Sequence, residues 1–226
     1  MKRLALGLAF AFVAAGGAMA APNTLTPAEQ AAGWKLLYDG RSLEGWRGFK
    51  TEVPDSGWTA KGALSPDPKT SKDIITKDQF ENFELSFQWK ISAKGNSGLM
   101  FHVIEVGDET YESGPEYQIL DNAHGEPPPQ QAASLFALYA PSMDMTRPPG
   151  DWNQAKIRVD HGHVEHWLNG MKVVEYDLAS PDFKARVAKS KFKQWPQFAA
   201  AKTGHIALQN HGDAVWFRDL KIKVLR

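Results

Sequence analysis

Two side chains in this sequence stand where proton transfer could be done: Glu116 and His211. A histidine titrates near neutrality without large tuning, and a carboxylic acid reaches that range when its surroundings disfavour charge, so such residues serve as general acid and base. Glu116 opens the strand-like run EYQIL, where alternation sets Glu116, Gln118 and Leu120 on one face and Tyr117, Ile119 and Asp121 on the other. A carboxylate beside an amide describes either the wall of a wet groove for a polyhydroxylated ligand, with Gln118 on a sugar hydroxyl, or an ordinary solvated face. His211 ends a strand in Gln209-Asn210-His211-Gly212, with Gln209 as a substrate contact; the alternative is a turn histidine bonded to backbone.

Other candidates for substrate contact carry their own bland alternatives. Asp121 and Asn122 close the Glu116 strand and suit either a ligand or an Asx-type turn. Asn96 and Ser97 precede a strand at Met100–Val106, where Gly98 permits close backbone approach; the alternative is a plain turn. His166 shares a face with Val164 and Leu168, so it is a groove residue or a core histidine. Arg218, on the Trp216 face, anchors a carboxylate such as Glu116, binds substrate, or pairs structurally. Tyr139 stacks on a sugar or packs in the core. His161 and His163 form an HxH pair without further ligands at zinc-site spacing, so no metal is assigned, though a divalent cation stays open. No phosphate loop, dinucleotide fingerprint or serine elbow is present, and no cofactor is called for.

These residues must be positioned by strands. Phe83, Leu85, Phe87, Trp89 and Ile91 alternate with Glu84, Ser86, Gln88 and Lys90, the pattern of a two-layer antiparallel fold. His163–Leu168 and Lys172–Tyr176 flank Asn169-Gly170, the strongest hairpin signal in the chain. Further strands are expected at 34–38, at 58–64 with a turn at Lys61-Gly62, at Ile74-Ile75 on a sheet edge, and at 152–160, 204–210 and 215–225. Thr26-Pro27-Ala28-Glu29 reads as a capping box over a short helix, and Ser180-Pro181-Asp182 starts a second. Ten or more strands with two minor helices predict an all-β, antiparallel two-sheet jelly-roll sandwich.

Met1-Lys2-Arg3, the apolar run 4–15 and Ala18-Met19-Ala20 read as a cleaved secretory leader, 1–20. Residues 21–33 then form an N-terminal segment with the short helix, and 34–226 one β domain. The mature chain keeps 24 basic and 26 acidic residues, a net charge of −2, which gives no electrostatic case for nucleic acid or an anionic membrane. Cysteine is absent, so there is neither a disulfide framework nor a lipidation site. The expected place is the periplasm or the medium, with no membrane anchor.

Several stretches together resemble the 3-keto-disaccharide hydrolase domain family: LLYDGRSLEGW (36–46), FELSFQWKIS with GNSGLMF (83–101), GPEYQILDN (114–122), DWNQAKIRVDHGHVEHWLNGMKVVEYD (151–177), GHIALQNHG (204–212) and VWFRDLKIK (215–223). The resemblance implies a concanavalin A-like jelly roll. It also implies action on sugars already oxidised at C3, where the ketone acidifies the C2 proton. A base removes that proton, an acid protonates the glycosidic oxygen, and the aglycone leaves. Ordinary glycosidases instead place two carboxylates about an oxocarbenium-like transition state. A separate sugar 3-oxidoreductase would have to supply the substrate. His102, a further substrate-contact candidate, stands where many members carry Arg. Two other classes remain: a lectin-like binding module, and an endo-glucanase with carboxylates spaced ExDxxE. Glu116 and Asp121 fall on opposite strand faces and do not make the second pattern.

Overall fold

The computed structural model describes residues 21–226. The leader-like stretch 1–20, with its expected cleavage site, lies outside the described residues. In chain order the elements are α1 (Pro27–Ala31), β1 (Lys35–Leu36), β2 (Trp46–Gly48), β3 (Thr59–Ala60), β4 (Leu64–Ser65), β5 (Ile74–Thr76), β6 (Phe83–Ile91), β7 (Asn96–Val103) and β8 (Glu116–Leu120). They continue with β9 (Asn153–Asp160), β10 (His163–Leu168), β11 (Met171–Asp177), α2 (Pro181–Lys189), β12 (His205–Leu208) and β13 (Val215–Val224). One eight-stranded sheet runs β11-β10-β9-β6-β13-β4-β3, with β1 added on β13; a five-stranded sheet runs β2-β5-β12-β7-β8. The fold is the antiparallel two-sheet sandwich of the jelly-roll class, as the alternation requires.

The inward positions explain the packing. Phe83, Leu85, Phe87, Trp89 and Ile91 of β6 are all buried, and their polar alternates are half-buried on the outer side. They meet Phe217 of the same sheet and Leu99, Phe101, Tyr117 and Ile119 from the other. Phe87 packs edge-on to Tyr117 across the layer, with ring centroids 5.5 Å apart. Asn169 and Gly170 both take positive φ, 48° and 90°, which matches a two-residue hairpin turn to the twist of its strands. Thr26 and Glu29 close the capping box on α1, and Ser180 accepts from Phe183 N on α2.

Three expectations change. Ile74-Ile75 is not an edge: β5 lies between β2 and β12, and both side chains are fully buried. The strand expected at 34–38 shortens to two residues. The strand expected at Met100–Val106 begins at Asn96, paired with Leu120, and ends at Val103.

A bulge interrupts it. His205 pairs Val103 and Ala207 pairs Met100, so Phe101 and His102 together oppose Ile206. His102 sits at φ 53°, and its ring turns inward to within 5.2 Å of Phe101 and 6.0 Å of Phe83. Gly204 makes room: a Cβ there would lie 2.4 Å from the His102 carbonyl carbon. Val103 then rejoins Met100 on the outer face of the five-stranded sheet.

Candidate active site

That outer face carries Glu116. Met100 pairs Glu116 and Gly98 pairs Gln118, so β7 and β8 present these residues side by side. Gly98 lets the Glu116 side chain fold down onto β7, because a Cβ there would stand 2.4 Å from Glu116 Oε1. Gly98→Ala is therefore expected to push the carboxyl out of place, lowering kcat about tenfold or more, and to lower Tm as well, because the added Cβ would also stand 2.9 Å from Glu116 Cγ and Cδ. Parallel rate and melting measurements check this, and an unchanged kcat would show that the position of the carboxyl is immaterial.

Glu116 opens into a cavity of about 170 Å³, walled by Asn96, Tyr111, Phe136, Lys191, Gln209 and His211. The walls come from separate parts of the chain. Tyr111 lies on the 3-10 turn Thr110–Glu112 and Lys191 on Lys191–Gln194. Lys191 Nζ sits 4.6 Å from the Phe136 ring centroid and 5.1 Å from that of Tyr111, so two aromatic faces steady a cation beside the carboxyl. His211 stands exposed on the rim, its Nε2 3.5 Å from Asn96 Nδ2. Asn96 Oδ1 and Gln209 Oε1 are buried without a protein partner. Two unfilled acceptors in a cavity wall suit the hydroxyl donors of a sugar.

Burial pushes the Glu116 carboxyl up to about 8; Lys191 opposes the shift and Asp73 reinforces it. Asp73 is the residue that pattern reading passed over. It precedes β5 and accepts hydrogen bonds from Thr110 Oγ1 and, at 3.0 Å, from the Asn210 amide. One carboxylate thus ties the turn bearing Tyr111 to the strand end bearing His211. Burial raises it to about 6, against those two hydrogen bonds. Asp73→Asn keeps the shape and removes a like charge, so the Glu116 titration is expected to move to lower pH. A pH–rate profile checks the direction; an unmoved alkaline limb would uncouple the two carboxyls.

The structure gathers Glu116, His211, Asn96 and Gln209 and leaves the other candidates elsewhere. Gln118 is buried, its Nε2 donating to Gln130 O at 3.2 Å. Ser97 Oγ donates to Gln209 O at 2.8 Å and ties β7 to β12. Asp121 accepts from Lys94 N and Ala123 N, an Asx cap, and Asn122 Oδ1 holds Ala132 N at 2.9 Å. Tyr139 donates to Asp182 and stacks on Tyr176, 5.1 Å between centroids. His102 is buried between the sheets, its Nε2 on Glu81 O at 2.8 Å. His166 is fully buried between Ala133 O (2.9 Å) and the Tyr176 hydroxyl (3.2 Å), and burial pushes it down to about 4. It cannot reach the cavity. Arg218 belongs to the eight-stranded sheet and bonds Gln88 Oε1 at 2.8 Å, so it does not anchor Glu116.

Of the HxH pair, His161 contacts Asp160 and His163 contacts Glu175. His163, Glu165 and Glu175 converge closely enough to hold an ion, but Lys172 Nζ bridges the two carboxylates at 3.2 and 2.6 Å and already supplies the positive charge there. Among the described residues no helix is long and apolar enough to cross a membrane.

Residues 33–223 match the 3-keto-alpha-glucoside-1,2-lyase-like domain. The chain belongs to that family. In this 3-keto-alpha-glucoside-1,2-lyase-like domain the cavity is built from stretches spread across the whole match. A 3-keto-disaccharide hydrolase of Bacteroides thetaiotaomicron is 34% identical, over 86% of this chain and 79% of that protein. A crystal structure from Parabacteroides distasonis, provisionally named a glycosyl hydrolase, superposes with a TM-score of 0.85 at 33% identity, covering 91% of this chain and all of the other. A second such structure from the same organism gives 0.66 at 28% identity, over 85% and 99% of the two chains.

Proposed function

We propose that this protein cleaves the glycosidic bond of 3-keto-disaccharides by elimination, with His211 as base and Glu116 as acid. The observation that carries the reading is the buried Glu116 carboxyl at the wall of a recess of about 170 Å³ that His211 also lines; burial pushes the carboxyl's titration upward, which favours the acid form. His211 takes the proton from C2, and the C2–H electron pair becomes the C1–C2 double bond. The C1–O bond breaks as Glu116 gives its proton to the departing oxygen. Lys191, on the wall of the same cavity, is assigned the role of offsetting the negative charge gathering on the C3 oxygen. Release at this point yields an unsaturated keto sugar, and water adding across the double bond yields the free 3-keto sugar. Hydrolase and lyase are two exits from one intermediate.

A non-catalytic lectin would gain nothing from a desolvated carboxyl. The bound sugar's hydroxyls would donate to Asn96 Oδ1 and Gln209 Oε1. The leader-like N-terminus supports a place in the periplasm or outside the cell, and the chemistry calls for a separate sugar 3-oxidoreductase to supply the substrate. The test is to incubate the mature protein with trehalose and, separately, with 3-keto-trehalose, following free sugar and enone absorbance. Cleavage of the keto form alone is expected. Binding of sugar without cleavage of either form would leave a lectin-like module.

A further inference from the structure

Arg218 finds its place on the opposite side of the molecule, in a surface with a character of its own. Three central strands of the eight-stranded sheet, β9, β6 and β13, turn Lys156, Arg158, Lys90, Arg218, Lys221 and Lys223 outward. The carboxylates on the same strands are Glu84, Asp160 and Asp219. Arg158 engages the first two, at 3.5 and 2.6 Å; Asn23 N donates to the third at 2.6 Å, and Arg218 Nε stands 3.9 Å from it. Lys221 pairs with Glu29 of α1. Among the described residues Lys90, Lys156 and Lys223 have no carboxylate partner. In a mature chain of net charge −2, three lysines thus stand on these strands without a paired carboxylate.

Tryptophans hold these cations in place. Lys90 Nζ lies between two indoles, 4.4 Å from the Trp216 centroid and 5.2 Å from that of Trp152. The Arg218 guanidinium lies 4.0 Å over Trp152, and Lys156 Nζ 4.0 Å over Trp167. Their register explains it: Lys90 pairs Trp216, Gln88 pairs both Arg218 and Gln154, and Lys156 pairs Trp167. A cation fixed against a ring loses less freedom when a ligand arrives. An open recess of about 580 Å³ is lined by Trp152, Trp216, Lys90 and Arg218 together with Asp39, Arg41 and Lys61.

We propose that this face is a second, non-catalytic binding surface for a carboxylated glycan, a chain of uronate sugars. The fork of Arg218 pairs a carboxylate with two parallel hydrogen bonds, and the ammonium of Lys90 supplies the adjoining charge. The half-exposed indole edges offer apolar contact to sugar rings. The surface lies on the sheet that does not carry Glu116, so a polymer bound there leaves the cavity open.

The test is calorimetric titration of the mature protein with a short oligogalacturonate, in low and high salt. Saturable binding that weakens with salt is expected. The Lys90→Ala/Arg218→Ala double variant is expected to bind about tenfold or more weakly. Lys156→Glu/Lys223→Glu, at two partly exposed positions, should also weaken it. Cleavage of a soluble 3-keto-disaccharide should stay unchanged in both, which separates this surface from the catalytic reading. No binding of oligogalacturonate, or binding untouched by both double variants, would overturn the proposal. So would equal affinity for a neutral glucan, a sulfated glycan or a DNA fragment.

Discussion

Glu116→Gln is expected to melt at a higher temperature than the parent at pH 7 while losing two orders of magnitude or more in kcat. The two effects share one cause. In the folded protein the carboxyl titrates at about 8, and in the unfolded chain near its ordinary value of 4.5. Folding therefore favours the protonated form. The group's contribution is fully present below pH 4.5 and is lost as pH rises through the folded value, reaching its floor above about pH 8. At pH 7 the burial of this group costs about 3 kcal/mol. Glutamine carries no such charge and is spared that cost, so its advantage should vanish near pH 4 and grow towards pH 8. Thermal melts across that span measure it. Activity goes the other way, because an amide has no proton to give to the leaving oxygen, and general acid catalysis is worth about 10²–10⁴-fold. In the parent the rate should fall as pH rises through about 8. A glutamine variant that is no more stable at pH 8 than at pH 4, relative to the parent, would show that the carboxyl is not desolvated.

His211→Ala is expected to lose about 10²–10⁴-fold in kcat, with Tm unchanged. The side chain is exposed and its loop is held by its neighbour: Asn210 Nδ2 donates to Ser71 O at 2.8 Å and Asn210 N to Asp73. Removing the imidazole thus leaves the frame standing. The distinguishing measurement is hydrogen exchange at C2 of a 3-keto sugar in D2O. Exchange requires the base alone, so it should disappear in His211→Ala and persist in Glu116→Gln. Free imidazole should restore part of the rate. Persistent C2 exchange in the alanine variant would assign the base to another group.

The strands were legible where one face is wet and the other dry. β6 declares itself by five apolar residues in strict alternation, and β10 with β11 by the Asn169-Gly170 turn. Glu116 and His211 could be singled out because each stands in or beside a strand-like run bounded by turn residues, although β8 and β12 are buried on both faces. Lys191, Tyr111 and Phe136 could not, since they reach the cavity from irregular segments whose meeting depends on closure over long separations. The hydrogen bond between Thr110 and Asp73 spans 37 residues and that between Asn210 and Asp73 spans 137. Alternation also says which residues share a face without saying which sheet they belong to. Arg218 does share a face with Trp216, but on the sheet away from Glu116. The bulge at Phe101-His102 breaks the period that would have carried His102 outward, and nothing in the local sequence marks it.

The strand bearing Glu116 is also the border of its sheet, since β8 has only β7 beside it. A bare border would offer its amides and carbonyls to any passing chain. Here the segment 133–136 fills that role: Ala133 N donates to Gln118 O at 2.8 Å, Ser134 O accepts from Gln118 N at 3.1 Å, and Phe136 N donates to Glu116 O at 3.1 Å. The same segment supplies Phe136 to the cavity wall. Shortening it to enlarge the recess for bulkier sugars would therefore uncover a sticky edge, and engineered variants of that kind should be lost to inclusion bodies before their specificity could be assayed.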